Sequence, residues 1–176
     1  QTFFDENRNL FEGYRPHAGV GLVFFYDLMH MEHLNHVRAV YALTRYLLDQ
    51  HVLFDYLVEG DLTSDRLSEY EVLILPDVRF MRQEDTEAVT KFVVEGGTAV
   101  VTGTTGQDDW HGQKRDANGF ADYLDGSIWT DGVLKGGPDS RFIYARQLAD
   151  LLPENRVSVD NLLGFLKGHL AELAGE

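Results

Sequence analysis

YEVLILPDVRFMRQEDTEAVTKFVVEGGTAVVTGTTG, residues 70–106, reads as strand, loop, helix, Gly-Gly turn, strand and a Gly/Thr loop. Glu71–Pro76 is an apolar run of strand length that stops at a proline. Val72, Leu73, Ile74 and Leu75 leave no polar alternation, so both faces of this strand are expected to be covered. Arg82–Glu95 follows, with Ala88, Val89, Phe92 and Val93 on one helical stripe. Gly96-Gly97 ends the helix, because glycine takes the left-handed conformation of a C-cap without a Cβ penalty. Thr98–Thr102 is the next buried strand. A strand, a helix and a strand joined this tightly imply a parallel pair with a right-handed crossover. Asp77 and Thr102–Gly106 then share the carboxyl edge of the sheet, where open α/β sheets bind ligands.

The same pattern extends to both sides. Gly19–Asp27, GVGLVFFYD, reads as the first buried strand, with Asp27 at its carboxyl end. Leu28–His36 leads into a helix running to about Gln50, whose apolar face includes Leu34, Val37, Val40, Tyr41, Leu43, Leu47 and Leu48. Val52–Val58 carries the polar Asp55 and reads as a half-exposed strand or one near the sheet edge. Thr63–Glu69 fits a short helix with Thr63 or Ser64 as N-cap. Gln107–Gly137 is long, polar and rich in glycine, and a loop of that length in a compact domain is usually functional or contacts a partner. Ala117–Leu124 within it fits a short helix, and Arg141–Arg146 reads as a late strand. Gln147–Leu152 fits a helical turn ended by Pro153, and Val159–Ala174 an amphipathic last helix. The order predicts an α/β three-layer sandwich with a flavodoxin-like, mostly parallel sheet.

Residues 1–18 form a lead-in segment, and residues 19–176 a single domain containing the long loop at 107–137. Opening on Gln1 in mid-pattern points to a piece excised from something longer, with Phe3, Phe4, Phe11 and Tyr14 packing on this core or on a preceding domain. The 176 residues carry 15 Lys and Arg against 29 Asp and Glu, a net charge of −14. That balance disfavours nucleic acid, whose phosphates require cations, and anionic membrane surfaces alike. No apolar run approaches the ~18 residues of a membrane span. A soluble protein is expected, with the cytoplasm favoured. With no cysteine there is no disulfide, thiolate nucleophile or Cys-ligated zinc.

Three groups of residues carry chemistry worth weighing. Asp27, Asp77, Thr102, Thr104 and Thr105 are expected to converge at the strand tips, where they would bind a sugar hydroxyl or a cation. The plainer account is that the aspartates cap helices and the threonines satisfy loop amides. His30, Glu32, His33 and His36 crowd the start of the first long helix, with Glu32 and His36 at i, i+4. No third ligand is evident, and solvated polar residues at a helix start explain them better; neither metal nor cofactor is expected. Asp108, Asp109, Trp110 and His111 place carboxylates beside an aromatic, the combination carbohydrate sites use. Adjacent aspartates do not by themselves supply the two spaced carboxylates of glycoside hydrolysis. Loop packing or an interface is favoured for them over a contribution to a neighbouring pocket. A hydrolase built on Thr102 or Thr104 with His111 as base remains the enzymatic alternative.

YEVLILPDVRFM, the helix into KFVVEGGTAVVTGTTG, and the continuation QDDWHG together resemble the beta-galactosidase trimerisation domain, the middle domain of family-42-type glycosidases. ENRNLFEGYRPHAGVGLVFF is similar to the lead-in from a catalytic barrel. The resemblance covers about residues 10–115. It implies a class I glutamine-amidotransferase-like fold, a homo-oligomer, a preceding catalytic barrel and a possible carbohydrate ligand. Catalytic members of that wider fold carry a cysteine on the elbow after the Gly-Gly strand. Here the region reads V-V-T-G-T-T-G, with Thr102 near the nucleophile position. The resemblance therefore implies a domain without catalysis of its own, serving oligomerisation and support of a sugar-cleaving domain.

Overall fold

The computed structural model describes residues 18–124, 129–130, 133–136 and 141–146. The lead-in segment up to residue 17, the turn at Gln147–Leu152 and the helix at Val159–Ala174 lie outside the described residues. Five parallel strands form the centre: β1 (Val20–Val23), β2 (Phe54–Leu57), β3 (Val72–Pro76), β5 (Thr98–Thr102) and β9 (Phe142–Ala145). Their order is β2-β1-β3-β5-β9, the flavodoxin-like arrangement. The antiparallel strands β8 (Val133–Gly136) and β7 (Trp129–Thr130) extend the sheet beyond β9. A separate parallel pair joins β4 (Phe80–Met81) to β6 (Asp108–Asp109).

Alternation along the strands separates two cores. Val72 and Ile74 of β3, Leu22 of β1 and Val100 of β5 pack with Val40, Leu43 and Leu47 of α2 (Leu34–Asp49). Leu73, Leu75, Ala99 and Val101 point the other way, toward Val89, Phe92 and Val93 of α4 (Gln83–Val94). That second side also takes Leu28 of α1 (Tyr26–His30), Leu67 of α3 (Ser64–Leu67) and Tyr123 of α5 (Ala121–Leu124). Every residue of β3 is buried, as a strand covered on both faces requires. These are the three layers expected from the sequence.

The helix ends follow local chemistry. Thr63 Oγ1 accepts from Arg66 N–H at 3.3 Å and caps α3. Asp85 accepts from Arg82 N–H at 3.2 Å at the start of α4. At its other end, Gly96 N–H bonds Val93 O and Gly97 N–H bonds Phe92 O, the paired bonds of a Schellman motif. Gly96 supplies the positive φ of 104° that this turn demands.

Three expectations change. The first strand is shorter than Gly19–Asp27, because Phe25 turns its N–H to His36 and Tyr26 starts α1. The helix expected at Ala117–Leu124 is only its last four residues. Part of the loop expected at 107–137 is sheet: β6 pairs with β4, and β7 and β8 join the main sheet. Strands of two and four residues are too short to show a period, and glycine around them masks what remains.

Candidate functional site

The carboxyl ends of β3 and β5 are tied by a knot of hydrogen bonds around Asp77. The chain leaves β3 at Pro76 and turns at Asp77 with φ 53°, a left-handed conformation that Asp tolerates better than most side chains. Asp77 N–H bonds both the carbonyl and the hydroxyl oxygen of Thr102, each at 3.2 Å. Asp77 Oδ1 accepts from Thr104 N–H and from Thr104 Oγ1–H, both at 2.6 Å. Thr105 Oγ1 accepts from Val78 N–H at 2.9 Å and donates toward Thr102 O at 2.7 Å. Gly103 lies inside the knot with φ 63°, where a Cβ would collide with the Asp77 carboxylate. Tyr144 O–H, held protonated chiefly by burial and then by the Asp77 charge, donates to Gly103 O at 2.6 Å.

Two histidines brace this knot, His33 at the N-cap of α2 and His36 within it. His36 is fully buried, donates from Nδ1 to Pro76 O at 2.7 Å and accepts Phe25 N–H at Nε2 at 3.1 Å. The bond accepted at Nε2 requires the neutral ring, and burial pushes the His36 pKa down, against the opposing pull of the bond to Pro76 O. His33 Nε2 donates to Asp77 O at 3.1 Å and stands 3.6 Å from Asp77 Oδ2. His36 is thus a strut between strand ends rather than a solvated residue. Glu32, at φ 59°, sits in the turn before α2, so it does not share a helical face with His36. Among the described residues no group of histidines and carboxylates is arranged to hold a metal ion.

Asp77, Thr102, Gly103 and Thr104 line an open crevice of about 470 Å³ with Asn35, Arg38, Ala39 and Arg146. Thr105 is buried beneath it. Asp27 lines neither this crevice nor the groove described next; it is exposed in the first turn of α1, and its N–H bonds Glu59 Oε1 at 2.8 Å. Asn35, Arg38 and Arg146 were not singled out from the sequence. Arg38 follows Asn35 by three residues on α2, and a polar i, i+3 pair beside an apolar stripe was the available signal.

Asp109, Trp110 and His111 line a different groove, of about 510 Å³, with Met81, Arg82, Gln83, Glu84 and Arg115. Asp108 is buried beside it and pairs with Arg79 Nε at 2.6 Å. Asp109 Oδ1 accepts His111 N–H and Gln113 N–H, both at 2.9 Å, and so caps its own loop. The Arg82 guanidinium covers one face of Trp110 at 4.6 Å, and Phe25 meets the ring edge-on at 6.1 Å. Arg115 donates to Met81 O at 2.7 Å and to Gln83 Oε1 at 2.8 Å. The loop is a clasp, with Asp109 Oδ1, Asp108 Oδ2 and one aromatic face engaged internally, while Asp108 Oδ1 and Arg115 Nε are buried without a hydrogen-bond partner among the described residues.

Among the described residues no histidine reaches a threonine hydroxyl at the strand tips, where the Thr104 hydroxyl is tied to Asp77 Oδ1. The left-handed residue after β5 is Gly103, which presents no side chain, where an elbow would present a nucleophile. Thr102 Oγ1 is engaged by Asp77 N–H. His33 Nε2, carrying its proton to Asp77 O, is not free to accept one. His111 and Thr102 line separate grooves, and among the described residues no hydrogen bond joins the His111 imidazole to a threonine, serine or carboxylate.

A doubly wound α/β domain with its strand-tip carboxylate spent internally defines the class. The model of the beta-galactosidase trimerisation domain matches residues 27–122, just over half of the chain, and the chain belongs to that family. Among solved structures, a beta-galactosidase from Bifidobacterium adolescentis is 26% identical with TM-score 0.50, covering 57% of this chain and 46% of that one. The beta-galactosidase from Bacillus circulans sp. alkalophilus is 16% identical with TM-score 0.66, covering 93% of this chain and 32% of that one. That from the psychrophilic Marinomonas ef1 is 14% identical with TM-score 0.63, covering 98% and 32%. The last two likenesses are of fold alone. The chain spans less than half the length of each of these structures. No curated protein sequence matches it. No described helix is long and apolar enough to cross a membrane.

Proposed function

We propose that this domain acts by assembly: it joins copies of a larger protein into an oligomer and supports a carbohydrate-cleaving barrel that precedes it. The family match over residues 27–122 carries the reading. The absence of cysteine from the sequence and the internal engagement of Asp77 and Thr102 support a role without chemistry at this site. The acidic balance supports a soluble protein, and the cytoplasm is the compartment proposed for it. A carbohydrate, if bound, meets the barrel rather than the clasp, whose Trp110 is already stacked by Arg82.

The β2 flank is the described surface that suits an assembly contact. β2 ends the sheet, and Tyr41 and Leu48 of α2, Leu53 and Tyr56 stand exposed around it. Thr44 Oγ1 and Tyr56 O–H lie 2.6 Å apart, which joins the helix stripe to the edge strand in one face. The apolar patch expected around Phe3, Phe4 and Phe11 lies outside the described residues. Sedimentation velocity on the protein expressed from the whole reading frame tests the proposal. A mass of three copies, reduced by Tyr41→Glu with Leu48→Glu, is expected for an interface of about 1,200 Å² or more. A strict monomer at micromolar concentration overturns it.

A further inference from the structure

We infer that His36 is an acid-operated latch: a proton on its Nε2 expels the Phe25 N–H and frees the corner between β1 and α1, while the ring keeps its hold on β3. The ring is fully buried and reaches to both sides, accepting Phe25 N–H on Nε2 at 3.1 Å and donating from Nδ1 to Pro76 O at 2.7 Å. The two bonds answer a proton in opposite ways. A charged imidazole carries a hydrogen on both nitrogens and accepts nothing. Nδ1 still donates to Pro76 O, and more strongly because the donor is charged. At Nε2 two hydrogens would face each other, so the Phe25 amide has to turn away.

What the latch holds is local. Phe24 N–H bonds Leu57 O at 2.8 Å, which keeps β1 beside β2 up to that residue. Beyond it Phe25 N–H goes to His36, and Asp27 N–H goes to Glu59 Oε1 at 2.8 Å. α1 is five residues long, with Tyr26 and Met29 exposed, and a helix of that length does not hold its shape unaided. The Phe25 ring is buried and stands edge-on to Trp110 at 6.1 Å, so the corner that His36 holds also steadies the Trp110 ring.

Several fields act on the proton. Burial resists it first, and the bond to Pro76 O favours it. His33 at the N-cap of α2 then opposes the charge, and Asp77 after β3 favours it. On the β1 side the ring meets Phe24, which carries no charge, at 5.8 Å. Opening the corner uncovers Nε2 and returns His36 toward its ordinary value of 6.5. Below that pH the open corner takes up the proton more readily than the closed one, so acid favours opening.

Hydrogen exchange read by mass spectrometry on the protein expressed from the whole reading frame tests the latch, with rates corrected for the intrinsic pH dependence of amide exchange. Protection of the Phe25 amide is expected to fall about tenfold between pH 7.5 and 5.5, the most that one coupled proton delivers over that range. The Thr98 and Ala99 amides, bonded to Glu71 O and Arg141 O within the sheet, are expected to keep theirs. His36→Gln is expected to flatten the profile, because an amide accepts at one atom and donates at the other without titrating. His33→Gln is expected to keep the drop, and it decides the question should His36→Gln fail to fold. Four results would each overturn the latch: a Phe25 amide that does not respond in wild type, an equal loss at Thr98 and Ala99, a drop that survives His36→Gln, or one that His33→Gln abolishes.

Discussion

The two grooves beside the carboxyl ends of the strands hold the same kinds of residue and use them differently. In the groove at 108–115, Asp108 neutralises Arg79, Asp109 caps its loop, Arg82 covers Trp110 and Arg115 holds the chain to Met81. In the strand-tip crevice Asp77 is consumed by the knot, while Arg38 makes no ion pair or hydrogen bond among the described residues. Residue content therefore does not mark a site. What marks it is the functional group left over once folding has taken its share. The groove at 108–115 is richer in suggestive side chains and mostly spends them, but it leaves Asp108 Oδ1 and Arg115 Nε buried without a hydrogen-bond partner among the described residues.

The hardest test of this contrast is Gly103→Ala. Alanine at φ 63° pays the left-handed penalty, and its Cβ displaces the carboxylate that ties β3 to β5. A loss of about 3 kcal/mol in urea denaturation is expected. A loss below about 1 kcal/mol would show that the knot yields easily and that Asp77 is available for other partners. Next in size is Arg79→Met, which leaves the buried Asp108 carboxylate without its cation. A cost of about 2 kcal/mol is expected, moderated because the arginine is 40% exposed to water. A neutral result would mean that the clasp is not held by its charges.

His36 sharpens the comparison through pH. Burial holds its folded pKa below the ordinary 6.5, so the unfolded chain takes up the proton more readily. Its contribution is complete above pH 6.5 and is lost as pH falls below that value toward the folded pKa. The expected slope from this one group reaches at most about 1.4 kcal/mol per pH unit. Denaturation of wild type and His36→Gln between pH 7.5 and 5.5 checks it. Parallel pH profiles would place the proton elsewhere.

Much of the architecture could be read from the chain because its signals are local. Val72–Leu75 lacks alternation, so it had to be central; Gly96-Gly97 follows an amphipathic stripe, so it had to be a helix end. The half-polar Val52–Val58 run reads as a half-exposed strand or one near the sheet edge, and β2 ends the sheet among the described residues. The strand-tip position of Asp77 and Thr102 was equally legible, since strand ends define it. What escaped depends on distant partners. Asp108 meets Arg79 across 29 positions, and His36 meets Pro76 across 40, so neither fate is written in neighbouring residues. A histidine among polar residues at a helix start looks solvated until the strand ends it bridges are in place. Arg38 was passed over for the opposite reason: an exposed arginine on a helix is ordinary until the surface beside it proves concave.

That residue supplies the smallest stability effect and the finest test. An arginine with no ion pair or hydrogen bond among the described residues can be removed cheaply, so Arg38→Ala is expected to shift stability by less than about 0.5 kcal/mol. Arg79→Met on the same scale is several times more damaging, although both residues are partly exposed arginines beside the sheet's carboxyl edge. The ratio between the two variants, measured in one urea series, is the quantity that matters. Equal losses would mean that Arg38 braces the fold after all and that the two grooves are built on one plan. A large loss at Arg79 with none at Arg38 would leave a cation at the strand tips whose presence the fold does not require, which is the condition a ligand site must meet.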